Sequence, residues 1–448
     1  MPNSHILKWF EAHPEVTNVQ VAACDINGIW RGKRVPVEQI GKVLKGEMRM
    51  PISALALDIW GRDIENSPLV WDTGDADGRC EVTDRGLLPF MVGDTPMVFL
   101  PVWMVTDKGD PSPVDPRRIL AEAVDRATKL GYFPKMALEM EFYLVDPKGD
   151  RPRTPLSPVT GKRLKADSVL SVDELDQFEV FFSQTYEACR AQGVGVDTAI
   201  SEAGRGQFEI NLFHTDPLRA ADDAVLFKRI VKSTARRNKM AASFMAKPFI
   251  DRAGSGLHVH FSLLNAEGIN VFDNGKADGS ETLIHAVGGV MSTLKENALL
   301  WAPHLNSYRR LQPGSHAPTG ICWAYENRTA AIRIPGGDHK ARRIEHRVAG
   351  ADANPYLVLA AILHGALDGI EMKMDPGQPI KGDAYSLELD RLPTRWMDAI
   401  REFEESDFID RHFSTVFQDV YTMAKTQENT ELNARISDFE LSSYLESV

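Results

Sequence analysis

Two glutamates stand two residues apart in ALEMEFYL, residues 137–144, at Glu139 and Glu141. Leu138, Met140, Phe142 and Leu144 alternate with them, which predicts a strand with one apolar face and one acidic face. The two carboxylates then lie roughly 7 Å apart along the strand. Like charges at that spacing repel unless a cation lies between or above them. The pattern recurs downstream. QFEINL sets Gln207, Glu209 and Asn211 on one face, and LHVHFSL sets His258, His260 and Ser262. AAIRIP offers Arg333, and RRIEHRV offers Arg343, Glu345 and Arg347, each opposite apolar neighbours. Lysine is absent from these faces, whereas Glu, His and Arg dominate. A solvated sheet face has no need for that selection.

If these faces line one cavity, Glu139, Glu141, Glu202, Glu209, Glu345 and His258 supply hard oxygen ligands and one imidazole. That set suits Mg²⁺ or Mn²⁺ better than zinc, and it is enough for two cations with three protein ligands each. Arg310, Arg328, Arg333, Arg343 and Arg347 in the same cavity would grip carboxylate or phosphate with their planar forks. Metals and arginines around a polyanion describe phosphoryl transfer. The chain has neither GxxxxGK[ST] nor a kinase-like GxGxxG, so a nucleotide must be held some other way. The triplet GSG, Gly254–Gly256, opens directly onto the His258 strand, where its backbone can approach a ligand closely. A metal-dependent amide hydrolase would leave the arginines without a polyanion. A non-catalytic relative would be expected to have lost metal ligands, and all are present.

These side chains need a scaffold that holds several strands side by side. The 448 residues are 43% hydrophobic and 25% charged, an ordinary globular composition. That length exceeds what one core usually supports. The stretch KGDPSPVDP, Lys108–Pro116, reads as a boundary, with Asp115 and Pro116 as N-cap and first residue of a helix that ends near Gly131. Before it, VTNVQVAACDI and MVFLPVWMV read as strands of a small domain, residues 1–108. After it lies a larger mixed domain, residues 113–448. DPKGDRPRTPLSPVTGKRLK predicts an exposed flap. The net charge of −12 argues against nucleic-acid or anionic-membrane binding. The four cysteines form no CxxC pair, which fits a reducing compartment. The N-terminus has no apolar signal core. The apolar run PYLVLAAILHGALDGI reads as too short and broken to span a bilayer. A soluble cytoplasmic protein is expected.

Taken in chain order, EMEF, SEAGRGQFEI, AGSGLHVHFSL, NSYRRLQPGSHAP, ENRTAAIRIP and KARRIEHR…DANPYL resemble the glutamine synthetase family from about Asp115 to the helix after Asn354. The resemblance implies an α+β fold: an N-terminal β-grasp domain and a catalytic domain built on a curved antiparallel sheet flanked by helices. It implies active sites completed by the neighbouring subunit of a homo-oligomer, commonly a dodecamer, with ATP as co-substrate and glutamate as acyl donor. Residue by residue, it implies that Glu141, Glu202 and Glu209 hold one metal and that Glu139, His258 and Glu345 hold the other. Gly254, Arg310 and Arg347 match glutamate contacts, with Arg347 also near the γ-phosphate. Arg328 and Arg333 match the phosphoryl-transfer arginines. His260, Ser262, Lys340 and Arg343 match nucleotide contacts.

The chain departs from ordinary glutamine synthetase mainly at the nucleophile end. Ala253-Gly254 replaces Asn-Gly. PGSHAP puts His316 where a glutamate binds ammonium and takes its proton. The latch motif Asp-Gly-Ser-Ser is replaced by LDIWGRD, leaving Asp58 as the match for the ammonium-site aspartate and Asp75 or Asp77 as a second acid. Asp390 stands where the bacterial adenylylation tyrosine would be, so that regulation is not expected. An intact phosphorylating half with an altered amine half resembles the γ-glutamylamide branch, the γ-glutamylputrescine (polyamine) synthetases. The expected reaction is ATP-dependent ligation of glutamate to a primary amine. Ammonia-dependent glutamine synthesis and γ-glutamylation of a monoamine such as methylamine are the alternatives.

Overall fold

The computed structural model describes residues 4–93, 95–149 and 151–448. Two sheets organise it, one on each side of the proline-rich stretch before Pro116. The first contains β1 (Asn18–Cys24), β2 (Trp30–Pro36), β3 (Arg49–Pro51), β4 (Asp77–Val82), β5 (Leu88–Val92) and β6 (Thr95–Val105), in the order β2–β1–β6–β4–β3, with β5 also on β6. The pair β1–β6 is parallel and every other pair is antiparallel. The tight turn from β1 to β2 has a local cause. Asp25 Oδ1 accepts from Asn27 N at 2.9 Å and from Ile29 N at 2.8 Å, and Gly28 takes φ 75°.

Asp115 joins this sheet to the helix Pro116–Lys129. It caps that helix by accepting from Arg117 N and Arg118 N, while its second oxygen accepts from Met104 N on β6 at 2.9 Å. Gly131, one residue past the C-cap Leu130, takes φ 82° and turns the chain into the next strand.

The second sheet carries the charged faces. Its strands are β7 (Phe133–Val145), β8 (Val196–Ser201), β9 (Gln207–Leu212), β10 (Ala241–Ser243), β11 (Leu257–Leu264), β12 (Trp323–Tyr325), β13 (Ile332–Ile334) and β14 (Ile344–His346). The order is β12–β13–β14–β11–β7–β9–β8, with β10 also on β7. Every pairing is antiparallel except β12–β13, a parallel pair that departs from the expected all-antiparallel sheet. Along β7, Met136, Leu138, Met140 and Phe142 are wholly buried against helices such as Pro217–Arg237, while Glu139 and Glu141 face the other way.

The helix Pro355–Met372 corrects one expectation, since by length and composition it could cross a membrane. It is instead packed inside the protein, against Pro116–Lys129 and Glu281–Ser292. Glycines permit the close approach of the last pair: a Cβ on Gly289 would lie 2.0 Å from Gly365 O. The flap after β7 is mostly exposed but pinned, with Arg163 bonding Asp146 at 2.9 Å and Arg252 bonding Thr154 at 2.9 Å. Cys24, Cys80, Cys189 and Cys322 are buried and unpaired.

Candidate active site

Strand register brings the acids together. Glu139 lies opposite Asn211 and Glu141 opposite Glu209 across β7–β9, and His258 lies opposite Glu139 across β11–β7. On the other side of β11, His260 faces Glu345, which in turn faces Arg333 on β13. Because side chains alternate between faces, this register puts all of them on one surface. Two donor sets emerge: Glu139, His258 and Glu345, and Glu141, Glu209 and His258, with the ligand atoms of each set within 4.8 Å of one another. The first is the expected trio. The second differs from the expected one, because His258 replaces Glu202. Glu202 lies one residue past β8, outside both sets among the described residues but close enough to interact with Glu141.

The electrostatics show how crowded the carboxylates are. Burial, reinforced by Glu139, Glu141 and Glu202, pushes the Glu209 carboxyl up to about 10. Burial and Glu141 push Glu202 up to about 7. Burial also opposes the charge on Glu139, but hydrogen bonds from His258 Nδ1 and His260 Nε2, each 2.8 Å, overcome it and hold this carboxyl well below the usual range. Glu345 is fully buried yet also held down, by Arg347 above all; Arg333 Nη1 bonds its Oε2 at 2.8 Å and Arg347 bonds its Oε1. Hard oxygens with one imidazole, crowded together with too little compensating positive charge, are a donor set that fits divalent cations. The residues present can therefore hold such an ion.

The glycine triplet enters this cluster through its backbone. Gly256 N donates to Glu141 Oε2 at 2.8 Å. A Cβ on Gly256 would lie 2.9 Å from Arg310 Nη2, 3.1 Å from His258 Nε2 and 3.2 Å from Glu141 Oε1. Gln207 holds the same corner, donating to Glu141 Oε2 at 3.2 Å and to Gly254 O at 3.0 Å. Arg310 is buried and bonds Val348 O at 2.7 Å. Arg347 Nε bonds Arg328 O at 3.2 Å, tying the exposed Arg328 loop to β14.

A cavity of about 890 Å³ opens beside the Glu139 end. Its lining includes Glu139 with His260, Ser262, Lys340 and Arg343, the four residues expected at a nucleotide. Reading strand faces did not find Lys135, Asp197, Phe213 or Asn270 on the same wall. The last three lie at strand ends or in loops, where alternation carries no information.

The nucleophile-side residues stand apart. His316 lies exposed in the loop after Arg310, with φ 65°. Asp75 accepts from Ser53 Oγ at 2.6 Å, and Asp77 begins β4. Asp58 is held by donors of its own chain. It is fully buried, and Oδ1 accepts from Trp60 N at 3.0 Å and Arg62 N at 2.9 Å, while Oδ2 accepts from Arg62 Nε at 3.0 Å and Gln427 Nε2 at 2.9 Å. A carboxylate offers about four lone-pair positions, and these four donors tie Asp58 to its own turn and to Gln427.

Comparison with known proteins places this arrangement. The family profile described as glutamine synthetase, catalytic domain, matches residues 113–444. Gamma-glutamylputrescine synthetase PuuA of Escherichia coli is 38% identical over 97% of this chain and 93% of its own. Glutamate–isopropylamine ligase of a Pseudomonas species is 33% identical over 98% of this chain and 97% of its own. Among solved structures, GmaS without ligand superposes with a TM-score of 0.84 at 28% identity, covering 98% of both chains. The chain belongs to the glutamine synthetase family and is an ATP-dependent ligase of that family.

Proposed function

We propose that this protein joins the γ-carboxylate of glutamate to a primary amine, putrescine or another polyamine foremost, with ATP as the energy source. The carboxylate attacks the γ-phosphorus of ATP and ADP leaves. The amine then attacks the acyl carbon of γ-glutamyl phosphate, inorganic phosphate leaves from carbon, and a proton is lost from nitrogen. One observation carries this reading: Glu139, Glu141, Glu209, His258, Glu345 and Arg333 share one sheet face, whereas the nucleophile half has His316 in its loop and an Asp58 engaged by four protein donors. The printed names of two similar ligases, which act on putrescine and isopropylamine, support a primary amine as the nucleophile.

Two divalent cations, Mg²⁺ or Mn²⁺, would be held by Glu139, His258 and Glu345 and by Glu141, Glu209 and Glu202, with His258 near both sets. When bound, they supply charge neutralisation for carboxylate and phosphate oxygens. Arg333 and Arg328 stabilise the charge spread over the transferring group. Arg347 and Arg310 orient glutamate, whose amino group meets the Gly254 loop. His260, Ser262, Lys340 and Arg343 hold the nucleotide. His316 is the base that takes the amine's proton. The protein on this reading has two domains, residues 1–108 and 113–448, and works as a cytoplasmic homo-oligomer, a dodecamer as its best size, with sites between subunits. The likeness to glutamate–isopropylamine ligase favours a second reading, a monoamine substrate. ADP release with glutamate and a panel of ammonium, methylamine, isopropylamine, ethanolamine and putrescine tests both. Preference for ammonium over every amine would replace the reading with glutamine synthesis.

A further inference from the structure

The segment 382–394 runs between two loops of the site and is fastened to each. At its start, Asn327 Nδ2 donates to Gly382 O at 2.6 Å, and Ala384 N donates to Thr329 Oγ1 at 2.9 Å. These bonds hold it to the loop that carries Arg328. At its end, Ile321 N donates to Asp390 O at 2.7 Å, Leu392 N to Thr319 O at 2.9 Å, and Gln312 Nε2 to Thr394 O at 3.0 Å. These hold it to the loop that carries His316. Asp383 caps the turn between, accepting from Tyr385 N at 3.0 Å. Tyr385 therefore sits at a fixed register between the phosphoryl end and the nucleophile end.

Its surroundings point inward. Tyr385 shares a small cleft with Pro313, Gly314 and Thr329. Burial, partly offset by Arg347, raises its pKa, so the phenol is a neutral donor and acceptor. Among the described residues that hydroxyl has no hydrogen-bond partner, and the side chain is half-buried. A ring with a polar tip, half-buried in a cleft between the loops that carry Arg328 and His316, suits a small molecule that is part alkyl and part polar.

We propose that Tyr385 is a specificity-determining residue of the nucleophile half, packing its ring against the alkyl part of the incoming amine. This rests on the amine-ligase reading. The strap it rides on couples amine fit to the position of Arg328, since Thr329 and Asn327 anchor the strap directly beside that arginine.

The test is kcat/KM for methylamine, isopropylamine and putrescine, with KM for ATP, in wild type, Tyr385→Ala and Tyr385→Phe. The expected result is a change of at least about tenfold in the ratio of bulky to small amines in Tyr385→Ala, with KM for ATP within about twofold. Tyr385→Phe should keep the ratio, because the ring remains. An unchanged ratio in Tyr385→Ala, or one common factor lost on every amine, overturns the proposal while leaving the ligase reading intact. A wild type that accepts ammonium alone defeats the ligase reading and the proposal with it.

Discussion

Gly256→Ala separates chemistry from folding more cleanly than any ligand deletion. The backbone at Gly256 lies outside the positive-φ region, so alanine brings no strain of its own. Its methyl would meet Arg310 Nη2 at 2.9 Å, His258 Nε2 at 3.1 Å and Glu141 Oε1 at 3.2 Å. All three are side-chain tips that can yield without moving the main chain, so stability should stay within about 1 kcal/mol of wild type. The tips, however, are the chemistry. Displacing positioned groups by about 1 Å costs on the order of 100-fold in rate, about 3 kcal/mol of transition-state stabilisation. Gly254→Ala provides the contrast. There a Cβ would lie 2.6 Å from Ala246 O, a backbone atom that cannot step aside, so the loss should fall on stability as well, about 1–3 kcal/mol. Steady-state ADP release gives kcat/KM, and thermal unfolding gives stability. Gly256→Ala with kcat/KM within about threefold of wild type would refute the assignment of this corner to the reacting centre.

Glu141→Ala should abolish turnover and weaken Mn²⁺ binding by calorimetry, since it removes a carboxylate held in place by Gly256 N and Gln207; near-normal activity with Mg²⁺ would sink the metal assignment. Arg328→Lys should lower kcat more than it raises KM, because the fork is lost and the charge kept; an unchanged kcat counts against the role. His316→Glu should raise kcat/KM for ammonium relative to methylamine, and an unmoved ranking would show that His316 does not select the amine. His364 gives a pH test. It is buried, with burial first and His412 second holding its pKa well below 6.5. Above 6.5 the ring is neutral in both folded and unfolded states. Below it the unfolded chain gains a proton that the folded chain refuses, so stability falls as the pH drops. Tm of His364→Phe, measured against wild type from about pH 8 to about pH 5, should gain on wild type only below the ordinary histidine pKa; parallel curves would exclude this.

Much of the site was legible because strands alternate strictly. Once ALEMEFYL, QFEINL and LHVHFSL are strands, Glu139, Glu141, Glu209 and His258 must leave the core on one face, and the observed register joins them. Asp115 was legible for the same local reason, as a cap preceding Pro116. What could not be read depends on partners distant in sequence. Asp58 looks free until Gln427, 369 residues away, is seen to fill its last lone pair. The entry of Gly256 into the cluster needs the fold, because nothing in GSG says which glycine meets the arginine. The parallel pair β12–β13 escaped because three-residue strands carry too little alternation to give direction. Tyr385 lies in a turn, where spacing says nothing about facing.

Glutamate, on this mechanism, is activated as γ-glutamyl phosphate before the amine attacks its γ-carbon. Turnover of glutamate labelled with ¹⁸O in its γ-carboxylate, with ATP, Mg²⁺ and putrescine, tests it directly. Expulsion of phosphate by carbon–oxygen cleavage predicts that one labelled oxygen moves into inorganic phosphate for each γ-glutamyl amide formed, as read by mass spectrometry. Amide formation with unlabelled phosphate would contradict the mechanism.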